Sequence, residues 1–191
     1  MRPVLPSISS SSPRARRCSI TAKWFLRRAP GSASCKGLLQ IGNRVLACQI
    51  GRNGIAAIKR EGDGCTPLAS LRLLSGYQRR DRMHLCLRKL APAAKGLGWC
   101  DQPQSPLYNR PVRLPFAASH EEMARSDGLY DICMVLDWNM APRARFRGSA
   151  IFLHVSREDR GPTQGCIALP LNVLARLMEK NLASLTIKVI A

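Results

Sequence analysis

Cys166 and His154 are the two residues whose types and spacing best equip this chain for chemistry. A thiol attacks as its thiolate, and a neighbouring imidazole that accepts the thiol proton generates that nucleophile near neutral pH. Cys166 follows Gly165 directly, in a loop bounded by Pro162 and Pro170. The missing side chain at Gly165 lets the backbone turn sharply and brings its amides close to an approaching carbonyl, as stabilising an oxyanion requires. His154 stands near the end of the apolar run 149–155, and the polar loop 156–161 separates it from the Cys166 segment. A strand followed by a short loop lets the imidazole and the thiol face each other across the turn. On spacing alone, a buried strand-end histidine with an unrelated cysteine fits equally well.

The elements that must position this pair read as strands. Residues 37–48 place apolar side chains on both sides of Gly42-Asn43, which predicts a hairpin that opens the domain. Residues 51–54 form a second turn, and 59–67 is a charged, glycine-rich loop ahead of a short strand near Leu71–Leu73. Five prolines between Leu90 and Phe116 predict a long surface connection with few regular hydrogen bonds. A helical turn is expected over 121–126, with His120 at its solvated start. Residues 130–138 read as a buried strand, and 149–155 as the strand carrying His154. Leu174, Leu177, Met178 and Leu182 recur at helical spacing, and Leu185, Ile187 and Val189 then alternate with Thr186 and Lys188. The expectation is a mostly β domain with one or two short helices.

Composition narrows the function classes. The net charge is +18, and the first acidic residue is Glu61, so the cationic excess lies in the front of the chain. Such a field attracts polyanions in general without selecting one. Aromatic residues make up 5% of the chain, too few for the stacking platforms of single-strand nucleic-acid binders, and no specific nucleic-acid partner is expected. No apolar run reaches the length of a transmembrane helix. Residues 1–33 read as a basic, Ser- and Arg-rich flexible tail, a composition shared with organelle transit peptides, and Met1–Arg17 lacks the apolar core of a secretory signal. The eight cysteines form no CxxC pair, and His84 with Cys86 lacks a partner pair, so neither zinc nor another metal or cofactor is expected. Asp131 and Asp137 flank a strand without an acid–base partner and read as structural.

His154, an intervening loop and then Thr163-x-Gly165-Cys166-Ile167 resemble the L,D-transpeptidase catalytic domain family, often called YkuD-like. Gly51-Arg-Asn-Gly54 and the segment from Lys59 to Pro67 resemble the front of a compact branch of that family, so the likeness runs over residues 34–191. The resemblance implies a YkuD-like mixed β-sandwich or barrel. It also implies a monomeric enzyme of the cell envelope or periplasm that acts on peptidoglycan stem peptides and is acylated by carbapenem-type inhibitors. Cys166 would attack the bond between a diamino acid and D-alanine, with His154 as general base and then acid. The Val155 carbonyl would orient the imidazole, amides around Gly165 and Cys166 would hold the oxyanion, and Thr163 would shape the loop. Gln164 stands where many members have His, Ala168 where many have Arg, and Ala69 where Gly often follows Thr-Pro. Arg145, Arg147 and Arg157 are the arginines offered in place of the one missing at Ala168. A thiol hydrolase on the same fold and a catalytically inactive polyanion-binding protein are the competing readings.

Overall fold

The structure, a computed structural model, describes residues 23–84, 87, 90–179 and 185–191. The first 22 residues of the expected tail, together with Cys86 and Leu182, lie outside the described residues.

The hairpin predicted around Gly42-Asn43 is present as β2 (Lys36–Ile41) and β3 (Arg44–Gln49), paired in antiparallel register from Lys36–Gln49 to Ile41–Arg44. It does not open the domain. Strand β1 (Lys23–Arg28) precedes it, pairing antiparallel with β2, so residues 23–28 belong to the sheet and not to the tail. The alternation explains why. Trp24 and Leu26 are buried while Lys23, Phe25 and Arg27 face solvent, the period-two pattern of a half-buried strand.

Two-residue strands β4 (Ile55–Ala56) and β5 (Thr66–Pro67) bracket the charged loop, and β6 is longer than the short strand expected, running Ser70–Gln78. The proline-rich region is more regular than its composition suggests. It contains β7 (Ala91–Pro92), β8 (Leu97–Cys100) and β9 (Arg110–Arg113). β10 (His120–Glu122) then replaces the helical turn expected over 121–126, and His120 is half-buried in it. β8, β9 and β10 form a three-stranded sheet with β9 at its edge, where the missing N–H of Pro111 breaks no central ladder.

The remaining elements are β11 (Ile132–Leu136), β12 (Phe152–Val155), β13 (Ile167–Leu169), α1 (Leu171–Met178) and β14 (Thr186–Val189). The main sheet runs β11-β12-β13-β3-β2-β1-β14-β6-β7, and a further pairing of β6 with β11 closes it into a barrel. Its enclosed face holds Leu26, Leu39, Ile50, Leu71, Leu153, Ile167 and Ile187, with Leu174 and Met178 of α1 packed into the same core. On the other face of β11 and β12, Cys133, Val135 and Phe152 form a second cluster with Trp99, Met123, Tyr130 and Cys166. The Trp99 and Tyr130 rings meet Phe152 edge-on, at 5.2 and 5.7 Å between centroids. α1 is the sole α-helix among the described residues, and no described helix is long and apolar enough to cross a membrane.

Candidate active site

Strand alternation brings His154 and Cys166 to the same side. Leu153 and Val155 point into the enclosed core, so His154 between them points away from it. β12 and β13 run parallel with His154 opposite Ala168, and Cys166, two residues before Ala168, shares its side. Both side chains line one cavity of 390 Å³, whose wall also includes Lys59, Arg125, Tyr130, Arg157 and Thr163.

The imidazole is held in one tautomer. His154 Nδ1 lies 2.8 Å from the Val155 carbonyl oxygen. A carbonyl only accepts, so Nδ1 carries the proton and Nε2 is left with the lone pair of a base. The ring also packs edge-on against Tyr130, 5.3 Å between centroids. Burial lowers the His154 pKa to about 4, against the opposing pull of the Val155 and Leu129 carbonyls, so the ring is neutral at physiological pH.

The thiol is held just as firmly. Cys166 Sγ accepts from the Phe152 N–H at 3.3 Å and donates to the Ala150 carbonyl at 3.1 Å. Burial pushes its pKa up to about 12, the Phe152 N–H and the Lys59 charge opposing and the Glu121 charge adding to the rise. The site therefore holds a neutral thiol and a neutral imidazole on one cavity wall. Ala150, whose carbonyl accepts the hydrogen bond from the thiol, has a φ of +50°, unusual for a residue with a side chain, and its N–H donates to Asn109 Oδ1 at 3.1 Å.

The loop before Cys166 is stapled to the upstream segment that the sequence singled out. Thr163 N–H donates to the Ile50 carbonyl at 3.1 Å, and Arg52 N–H to the Thr163 carbonyl at 2.9 Å. Thr66 Oγ1 donates to the Gly165 carbonyl and accepts from the Gly51 N–H, both at 2.9 Å. A Cβ at Gly165, where φ is +138°, would sit 2.7 Å from the Cys65 carbonyl oxygen, so glycine is required there. Thr163 Oγ1 donates to the Cys166 carbonyl at 2.7 Å and accepts from the Gly165 N–H at 3.2 Å, a direct structural role in the loop. That second bond commits the Gly165 amide and leaves the Cys166 amide as the loop's candidate oxyanion donor.

The arginine expectations separate. Arg145 lies in a different surface depression with Ser105, Tyr108 and Arg143. Arg147 contributes its backbone carbonyl to Trp138 Nε1 at 2.9 Å. Neither lines the Cys166 cavity, whereas Arg157 does. The cavity residues that sequence reasoning missed are Lys59, Asp101, Glu121, Arg125 and Tyr130. The charged glycine-rich loop carrying Lys59 was a visible signal without a role, and the others come from strands and turns hidden in the middle of the chain. Asp137 is structural, accepting from the Arg72 backbone N–H at 2.8 Å and from its Nε at 2.7 Å. The six described cysteines are free, and no described group of three His, Cys, Asp or Glu side chains is placed to hold a metal ion.

No protein-family model matches the chain, and no curated protein matches it in sequence. Fold and site define a mostly β, barrel-forming protein with a buried thiol and a tautomer-fixed imidazole on one cavity wall.

Proposed function

We propose that this protein is a cysteine acyltransferase of the L,D-transpeptidase kind, acting on peptidoglycan stem peptides in the cell envelope. The observation that carries this reading is the placement of Cys166 and His154 in one cavity with Nδ1 anchored on Val155. Motif resemblance supplies the substrate class. In the proposed reaction His154 Nε2 takes the Cys166 proton as the sulfur attacks the carbonyl of the diamino acid. The tetrahedral oxyanion forms beside the Cys166 amide. D-Alanine leaves with the proton returned by His154, and the resulting thioester is resolved by the side-chain amine of a second stem, giving a cross-link between two third-position residues.

Both groups rest neutral, so the imidazole is in the unprotonated form that a general base requires. Intact-mass analysis tests the reading. Wild-type protein is incubated with a carbapenem and, separately, with a tetrapeptide stem ending in diamino acid–D-Ala, alongside Cys166→Ala. A wild-type adduct missing from the variant, with D-alanine released from the stem, is expected. Folded wild-type protein giving neither adduct nor release removes the transpeptidase assignment.

A further inference from the structure

Lys59 is a charged residue for which the proposed reaction has no use, and yet its side chain is only 3% exposed and lines the Cys166 cavity. Its stem lies in a built slot. A Cβ at Gly148, where φ is +88°, would sit 3.0 Å from Lys59 Cγ and 3.2 Å from Cε, so the glycine makes room for the lysine. Nζ donates to Asp63 Oδ1 at 2.5 Å and to the Arg60 carbonyl at 2.6 Å. An ammonium has three N–H groups, and the third is left for the cavity. Asp63 is itself pinned by the Arg60 and Cys65 amides, at 2.7 and 2.8 Å, so the Nζ position is fixed by backbone.

The other cations on the cavity wall are already engaged or turned to water. Arg157 is 60% exposed beside Asp159, and Arg125 pairs with Asp127 at 2.6 Å and faces Glu121 at 3.4 Å. Asp101 adds its charge to that of Glu121, and its Oδ1 is buried without a hydrogen-bond partner among the described residues. Glu61 accepts from the Tyr108 hydroxyl and from Ser149 Oγ. A fixed, desolvated ammonium with one free donor is suited to an anionic oxygen brought in by a ligand, since exposed cations lose most of that interaction to water.

We propose that Lys59 forms a carboxylate subsite in the Cys166 cavity, so that the thiol takes acyl donors with an anionic group beside the reacting carbon. The subsite rests on Cys166 being the nucleophile of the proposed reaction, and one experiment separates the two. Cys166 is alkylated with iodoacetate and with iodoacetamide, which are nearly alike in shape but differ in charge. In both, a C–S bond forms, iodide leaves, and the thiol proton passes through His154 to water. Rates are read peptide by peptide by mass spectrometry, with the part-exposed Cys35 as internal reference.

Relative to Cys35, wild-type Cys166 is expected to favour iodoacetate by about tenfold or more, the scale of one charge-assisted hydrogen bond. Lys59→Met abolishes the preference and Lys59→Arg keeps it. Asp63→Asn, which removes the competing charge, raises it, and this variant decides the matter if Lys59→Met does not fold. A preference that survives Lys59→Met, that follows Arg125→Gln or Arg157→Gln instead, or that is absent from wild type overturns the subsite alone. Labelling of Cys35 with no reaction at Cys166 from either reagent removes the nucleophile and the subsite together.

Discussion

The two faces of β12 and β13 are made from alternate residues of the same short strands, yet they are built on opposite principles. On the enclosed face, Leu153, Val155, Ile167 and Leu169 meet apolar neighbours from around the barrel and make no polar demands. On the cavity face, His154 and Cys166 are buried almost as deeply, but His154 Nδ1 and Cys166 Sγ are each tied to named backbone groups. Burial on the first face supplies stability. On the second it sets protonation, because desolvation holds both the thiol and the imidazole neutral. A period-two strand thus sets the apolar core and the candidate site one residue apart.

The largest expected effect falls on the cavity face. His154→Ala should slow acylation of Cys166 by about 10²- to 10⁴-fold, the usual contribution of a positioned general base, while the folded fraction by circular dichroism changes little. Retention of the full rate would mean that the two faces do not divide their work as described. On the enclosed face the reverse is expected. Leu153→Ala should cost about 2–5 kcal/mol in chemical denaturation, through lost burial and the cavity left behind, while acylation per folded molecule is preserved.

A smaller effect separates the faces by pH. His154 has its pKa lowered from 6.5 to about 4 by burial, so the unfolded chain binds a proton before the folded one does. Its contribution to stability is complete above pH 6.5 and is lost as pH falls toward 4. Denaturation midpoints should therefore drop across that window in wild type and drop less in His154→Gln. The smallest effect is expected at Arg145→Gln and Arg147→Gln, which lie off the cavity wall and should leave the acylation rate at the wild-type value.

Legibility in the sequence followed the same division. The hairpin about Gly42-Asn43, the strands at 132–136 and 152–155 and the amphipathic run of α1 were readable because local periodicity and turn residues encode them. The positions of Cys166, His154 and Thr163 relative to one another were readable because they lie within a single strand–loop–strand unit. Strand β1 was obscured because its outward positions are Lys23 and Arg27, which carry the same charge as the tail before it. The sheet of β8, β9 and β10 was obscured by prolines that an edge strand tolerates and a central one does not. Lys59, Asp101, Glu121 and Arg125 reach one cavity from distant parts of the chain, and no pattern of local spacing records such a tertiary convergence.

Barrel closure joins distant parts of the described chain. β1, the first described strand, lies directly beside β14, the last, and β14 in turn links β1 to β6. Such a parallel pairing between distant strands has high contact order and forms slowly, because the intervening chain must be gathered before any bond rewards it. Until β14 docks, β1 and β6 present open edges to solvent, and the ring that aligns β12 with β13 is incomplete. The cavity wall that carries Cys166 and His154 is therefore expected to form only once β14 has joined β1 to β6.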